Sequence, residues 1–351
     1  MKRETGYDLL RIVSCFAVVL LHVSVGYWES VDINGNDFLV MTFYNSFTRF
    51  GVPVFFMLSG LFLLDPQKEM TARKLGVRIG KLVTTFYLWS AFYAFQSVIF
   101  NGVKNGWESV TGEMWSSAWR RLIVGHGHMW FLMDLLGFYL LIPMLRKICE
   151  DIRVLGYFLL LWVIVRFVIT TMIPNVGQGL LFAKVASLHL YMLTGYIGYF
   201  IGGYFLQKTD IPKRYRYILY ICGAGAIGFT IVKTLYDCRA TQAYDDRWFS
   251  PSNVNVLILS IATFVFYKYI TIPKRLSESK LIPAMARSTF FVYMVHPFLL
   301  AKLGLLGINV ISYPVYLSIP ILSVGVFAAG MLGGWIVGKI PVIGKWICWG
   351  K

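Results

Sequence analysis

Residues 7–27 read YDLLRIVSCFAVVLLHVSVGY, and the reading of this stretch decides the fold. About 20 helical residues cross the hydrocarbon of a bilayer, so its length suits a spanning helix. It nevertheless carries Asp8 and Arg11 near one end and His22 near the other. Ionisable groups are costly in hydrocarbon, so within a spanning helix they face a bundle interior and mark function. Arg11 and His22 are eleven residues apart. That is close to three turns, so both project from nearly one face, roughly 16 Å apart along the axis. Tyr7, Ser14 and Val18 fall near the same stripe. One helix thus presents a guanidinium and an imidazole, at different depths, to one space.

The remainder of the chain agrees with a membrane setting. Of 351 residues, 57% are hydrophobic and only 14% charged, which excludes an ordinary soluble globule of this size. The net charge of +16 would suggest nucleic acid in a soluble protein. Here the basic residues sit in short loops and speak of topology, so no nucleic-acid partner is expected. The five cysteines (Cys15, Cys149, Cys222, Cys238 and Cys348) lie far apart, with no CxxC pair and no metal-like spacing. The leading apolar run is too long for a cleaved signal and carries Arg11.

Ten spanning segments can be drawn, at about 7–27, 39–64, 79–101, 129–145, 154–173, 187–206, 217–235, 253–271, 288–306 and 315–338. The intervening charges test this division. Even-numbered gaps and the termini hold 21 Lys and Arg, from Lys2 and Arg3 to Lys351, against 6 in the odd-numbered gaps, Lys184 among them. The positive-inside rule then puts both termini in the cytoplasm. The fold class is therefore all-α, a polytopic membrane protein of about ten helices, with residues 1–351 a single integral-membrane domain. The longest outward gap, about 102–128, carries Trp107, Trp115 and Trp119, which suits a helix lying at headgroup level. Small-xxx-small spacings at Gly198/Gly202 and Gly330/Gly334/Gly338 suit close helix approach.

Several side chains are candidates for chemistry. His22 can act as a general base on a hydroxyl, or be a packed histidine bonded to a carbonyl. Arg11 can hold an anion such as phosphate, or bridge to Asp8 one turn away. Lys74, Arg78 and Lys81 fall on one side of a helix in MTARKLGVRIGK (70–81), and can hold donor phosphates or simply flank the membrane. Arg49 lies inside the second segment, where Pro53 predicts a kink. His126 and His128 precede the fourth segment, with Trp130 and Asp134 following. His128 and Asp134 read as polar lining and no metal is expected. Orientation puts His22 and His128 at similar depth. In the ninth segment Tyr293 and His296 precede Pro297, so His296 either lines the cavity or bonds a backbone group that the proline frees. The sequence does not indicate what Arg166 faces. GxxxxGK(S/T), GxSxG and HExxH are all absent.

Four stretches in order carry a resemblance. YDLLRIVSCFAVVLLH resembles the first helix of the integral-membrane acyltransferases of acyltransferase family three, in which an arginine is followed by ten residues and a histidine, as in Arg11 and His22. FGVPVFFMLSGLFLL resembles their second helix, HMWFLMDLLGFYLLIPML a later one, and ARSTFFVYMVHPFLL the penultimate one. The resemblance implies transfer of an acyl group, often acetyl, from acyl-CoA to a hydroxyl of an envelope glycan or another small acceptor at the cell membrane. It implies Arg11 and His22 as functional residues, with His22 catalytic. Many members also show Arg-x-x-Arg after the second helix, where this chain has Lys74, Arg78 and Lys81. Some relatives carry an esterase-like domain after the membrane part. This chain ends soon after its tenth helix, so if transfer needs two active sites, a separate extracytoplasmic protein is expected to supply the second. Two alternatives stay open: movement of a small solute, an amino acid such as serine, and a part in polysaccharide export.

Overall fold

A computed structural model describes residues 5–169, 187–341 and 343–347. The end of the fifth expected segment, Lys2, Arg3, Lys184, Cys348 and Lys351 lie outside these. The described residues are mostly helical, with no strand among them. Eight helical stretches among them are long and apolar enough to cross a membrane, and the chain is an all-α polytopic membrane protein.

Helix α1 (Thr5–Val25) is the hub. It packs against α2 (Asn36–Thr48), α3 (Gly51–Leu63), α10 (Val254–Tyr269), α11 (Leu281–Leu305) and α12 (Val315–Val337). Leu10, Ser14, Cys15 and Val19 have no accessible surface, as expected of a helix surrounded by others rather than by lipid. The second expected segment is interrupted between α2 and α3 at residues 49–50, both of which keep right-handed helical backbone, so the expected kink is present. Pro53 lacks an N–H and its ring crowds the carbonyl four residues back, that of Arg49, and the chain breaks at residues 49–50 before α3 resumes at Gly51. A Cβ at Gly51 would stand 3.0 Å from the Ser14 carbonyl of α1, so the glycine lets the start of α3 lie directly on α1.

Around this hub lie α4 (Ala72–Asn105), α5 (Gly112–Val124), α6 (Trp130–Ile148) and α7 (Ile152–Val163), the last continuing into a π-helical turn, Ile164–Ile169. The remaining helices are α8 (Ile197–Lys208) and α9 (Lys213–Thr241). The fifth and sixth expected segments are represented by α7 and α8, of 12 residues each. The sixth helix starts at Ile197, ten residues later than expected. Helix α4 has 34 residues, about 51 Å at 1.5 Å per residue, so it extends well past a ~30 Å hydrocarbon layer. Its first turn is capped by Thr71, which accepts from the Lys74 amide. The tryptophan-bearing gap does fold as an amphipathic helix. Trp115 and Trp119 of α5 are exposed and touch Phe95 of α4.

Glycines set the closest approach, though not in the expected pairs. A Cβ at Gly60 of α3 would lie 1.6 Å from the Phe200 carbonyl oxygen of α8, and one at Gly203 would lie 1.9 Å from that of Met57. The backbones of α3 and α8 are thus in direct contact. Gly198 receives the Trp162 indole, whereas Gly202 faces open space. Gly330 and Gly334 do admit α11, through Val292, Ser288 and Phe291.

Candidate active site

Two regions of α1 open the site. Toward its start, Arg11 lines a cavity of about 160 Å³ with Phe55, Ser59, Tyr139, Thr289 and Tyr293 among its walls. At ~30 Å³ per water, that volume holds about five waters, enough for the tip of an acyl chain and its carbonyl. The Arg11 guanidinium lies 5.7 Å from the Phe62 ring centre. Asp8 is buried one turn earlier, at the Arg11 end and roughly 21 Å of helix away from His22.

Toward the other end of α1, three histidines from three elements meet. The ring centroids of His22 and His296 are 4.7 Å apart, and those of His296 and His128 are 5.7 Å apart. His22 Nδ1 lies 2.8 Å from the Val18 carbonyl. A carbonyl only accepts, so this nitrogen carries the proton and Nε2 keeps its lone pair. His296 shows the same arrangement with a local cause. Pro297 cannot donate to the carbonyl four residues back, that of Tyr293, and His296 Nδ1–H takes its place at 2.7 Å. Of the two expected readings of His296, the bond to the freed backbone is the one present, and Nε2 is buried without a hydrogen-bond partner among the described residues. His128 is buried, its Nδ1 is 2.8 Å from Nδ1 of exposed His126, and its Nε2 too has no such partner. Among the described residues no group of His, Cys, Asp and Glu has the arrangement to hold a metal.

Tyr293 joins the two regions. It lines the Arg11 cavity, and its ring centre is 5.7 Å from that of His128 and 5.9 Å from that of His296. Its hydroxyl donates to the His128 carbonyl. His22 is not among the walls of the Arg11 cavity, whereas Tyr293 is. No sequence pattern singles out Tyr293 beyond its place one turn before His296.

The basic residues of α4 differ in their surroundings. Exposed Lys74 is paired with Glu69 at 2.6 Å, and the Lys74 hydrogen bond and charge hold the Glu69 carboxylate below its ordinary range. Arg78 instead lies within electrostatic reach of Tyr139, as does Arg11. Tyr139 is itself a wall of the Arg11 cavity. Lys81 is half-buried one turn further on. Alongside, a groove of about 400 Å³ between α4 and α6 is lined by Ala72, Leu75, Pro143 and Arg146, with Arg146 donating to the carbonyls of Pro66 and Lys68. Sequence reading missed this groove, since Arg146 looks like any flanking charge.

The other candidates form a neighbouring cluster. Arg49, at the α2–α3 break, donates to Asn45, lies 4.4 Å from the Phe249 ring centre, and acts electrostatically on His22 and Tyr196. Arg166 gains neighbours that its sequence did not reveal: its guanidinium lies 5.2 Å from the Tyr196 ring centre and within electrostatic reach of Asp134. The Trp130 ring lies 5.0 Å from the same Tyr196 ring, tilted against it, and Trp130 is 41% exposed. Trp130 and Asp134 thus stand beside the imidazoles, not among them.

No curated protein and no solved structure shows a significant match to the chain. A family model described as an acyltransferase domain, that of acyltransferase family 3, matches residues 4–339. That span takes in the Arg11 cavity, the imidazole cluster and the basic start of α4, and the chain belongs to the acyltransferase 3 family.

Proposed function

We propose that this membrane acyltransferase moves an acyl group, acetyl in the first place, from cytoplasmic acyl-CoA to a hydroxyl of an envelope glycan or similar acceptor, with His22 as general base. The observation that carries the reading is the sharing of Tyr293 between the Arg11 cavity and the imidazole cluster. A cation on one side suits the phosphate-bearing donor, and an unprotonated Nε2 on the other suits proton removal from a hydroxyl.

The donor runs from the α4 end inward. Its nucleotide lodges in the groove beside Arg146, with Lys74, Arg78 and Lys81 near its phosphates. Its thioester arm passes Tyr139 and Arg11 and reaches Tyr293. A 160 Å³ space admits only the end of that arm, so the Tyr293 ring must turn aside for the thioester to meet His22. The acceptor enters from the opposite side, past Trp130 and the Arg49, Asp134 and Arg166 cluster. His22 Nε2 takes the hydroxyl proton as the oxygen attacks the thioester carbon. The C–S bond then breaks and the departing thiolate takes that proton. Coenzyme A thiol and the ester are the products.

Purified protein in liposomes, supplied with acetyl-CoA labelled in the acetyl group and an envelope extract as acceptor, tests this. Thioester loss with label in the extract is expected. Passage of intact solute such as serine, with the thioester preserved, would make the protein a carrier.

A further inference from the structure

The imidazole cluster fixes tautomers as well as positions. His22 and His296 each keep a proton on Nδ1, facing carbonyls, and so each presents a lone pair at Nε2. His126 and His128 are bound differently. Their Nδ1 atoms are 2.8 Å apart, and a hydrogen bond between two imidazole nitrogens contains one proton. If the proton sits on His126 Nδ1, then neutral His128 carries its own on Nε2. If it sits on His128 Nδ1, the buried Nε2 of His128 is a third lone pair.

The surroundings choose between the two. His128 Nε2 is buried without a partner, and its ring neighbours His296, whose Nε2 is a buried lone pair. Lone pairs gathered in a low-dielectric space repel, whereas an N–H set among them attracts. On the other ring, exposed His126 can leave Nε2 as an acceptor for water at no cost. Tyr93 holds that ring in place: the two rings lie 4.3 Å apart, and the Tyr93 hydroxyl is anchored on the Met294 carbonyl at 2.6 Å.

We propose that His126 fixes His128 as its Nε2–H tautomer, and that this N–H is the oxyanion donor for the acyl transfer in which His22 is the base. The second clause rests on the acyl-transfer reading; the first does not. When the acceptor oxygen bonds to the thioester carbon, the carbonyl electron pair moves onto oxygen and is held by His128 Nε2–H. The pair returns as the C–S bond breaks. The proton of His128 is not transferred. His126 is a positioning residue, outside the reacting atoms.

The test uses full-length protein carrying ¹⁵N-histidine in phosphatidylglycerol nanodiscs, read by solid-state NMR, alongside acetyl-CoA turnover with envelope extract. Expected are a nitrogen–nitrogen coupling across the His126–His128 hydrogen bond and a proton on His128 Nε2. His126→Phe should lose both, whereas His126→Asn, whose amide donates from nearly the same place, should retain the proton on Nε2. His128→Phe should lower kcat by about 10²–10³, the usual cost of one oxyanion donor, with the KM for acetyl-CoA changed less than about twofold. His126→Phe should approach that value and His126→Asn should recover most of it. A bare His128 Nε2 in the wild type overturns the proposal, as does an unchanged kcat in His126→Phe, or an effect on KM alone. Wild-type protein with the expected tautomers and no turnover at all would overturn the acyl-transfer reading and the oxyanion role, leaving the tautomer assignment standing.

Discussion

His22 on α1 and His296 on α11 hold their imidazole rings 4.7 Å apart between centroids, each with Nδ1 tied to a carbonyl of its own helix. Neither ring can rotate without losing that bond, so both Nε2 atoms are pre-aimed. Replacing His22 with Ala is expected to lower transfer by about 10²–10⁴, the usual worth of a positioned general base. The variant should retain wild-type elution in size-exclusion chromatography. Label transfer from acetyl-CoA reads the first, and wild-type turnover in the variant would remove His22 from the mechanism.

Tyr293 predicts a separation of two activities. Tyr293→Phe keeps the ring between the Arg11 cavity and the imidazoles but loses one hydrogen bond, expected to cost about 1 kcal/mol of stability with coupling intact. Tyr293→Ala enlarges the Arg11 cavity toward the imidazoles. Water then reaches the thioester, and acetyl-CoA hydrolysis without acceptor is expected to rise relative to transfer. Free thiol release with and without envelope extract measures the ratio.

The Glu69–Lys74 pair predicts a pH-dependent restraint on donor binding. Lys74 holds Glu69 below its ordinary range, so the pair is formed above the ordinary glutamate pKa, about 4.3, and is lost as pH falls through the depressed value. At neutral pH the pair is complete and Lys74 is occupied. Glu69→Gln is therefore expected to lower the KM for acetyl-CoA at pH 7, with no difference from wild type at pH below the depressed value. Donor binding by calorimetry across pH checks this; an unchanged or raised KM at pH 7 would contradict it.

Gly60 and Gly203 predict sharp intolerance. A Cβ at either would lie within 2 Å of backbone on the facing helix, and backbone cannot give way as a side-chain tip can. Gly60→Val or Gly203→Val is expected to cost about 3 kcal/mol or more, while Gly202→Ala, facing open space, should be tolerated. Thermal unfolding in detergent distinguishes them.

The fold class was readable because apolar runs of spanning length and the alternation of basic loops are both local properties of the chain. Arg11 and His22 were readable for the same reason, since one helix fixes their relation. What could not be read depends on contacts between distant segments. Arg49 and Arg166 share Tyr196 only because the α2–α3 break, the π-helical turn after α7 and the start of α8 meet in space. The choice of Gly203 rather than Gly202 follows from the rotation of α8 against α3, which spacing leaves open. Pro53 signalled a disturbance of its helix, but the break at Arg49 emerged only with Gly51 seated on α1.

The central claim is that the acyl group travels from the Arg11 cavity past Tyr293 to His22. It is tested most directly by a structure of the protein bound to a non-hydrolysable thioether analogue of acetyl-CoA. The account predicts adenosine beside Arg146 and Arg78, the pantetheine arm along Tyr139 and Arg11, a displaced Tyr293 ring, and the acyl carbon within reach of His22 Nε2. An analogue that ends elsewhere, with Tyr293 in place and the imidazoles out of reach, would contradict it.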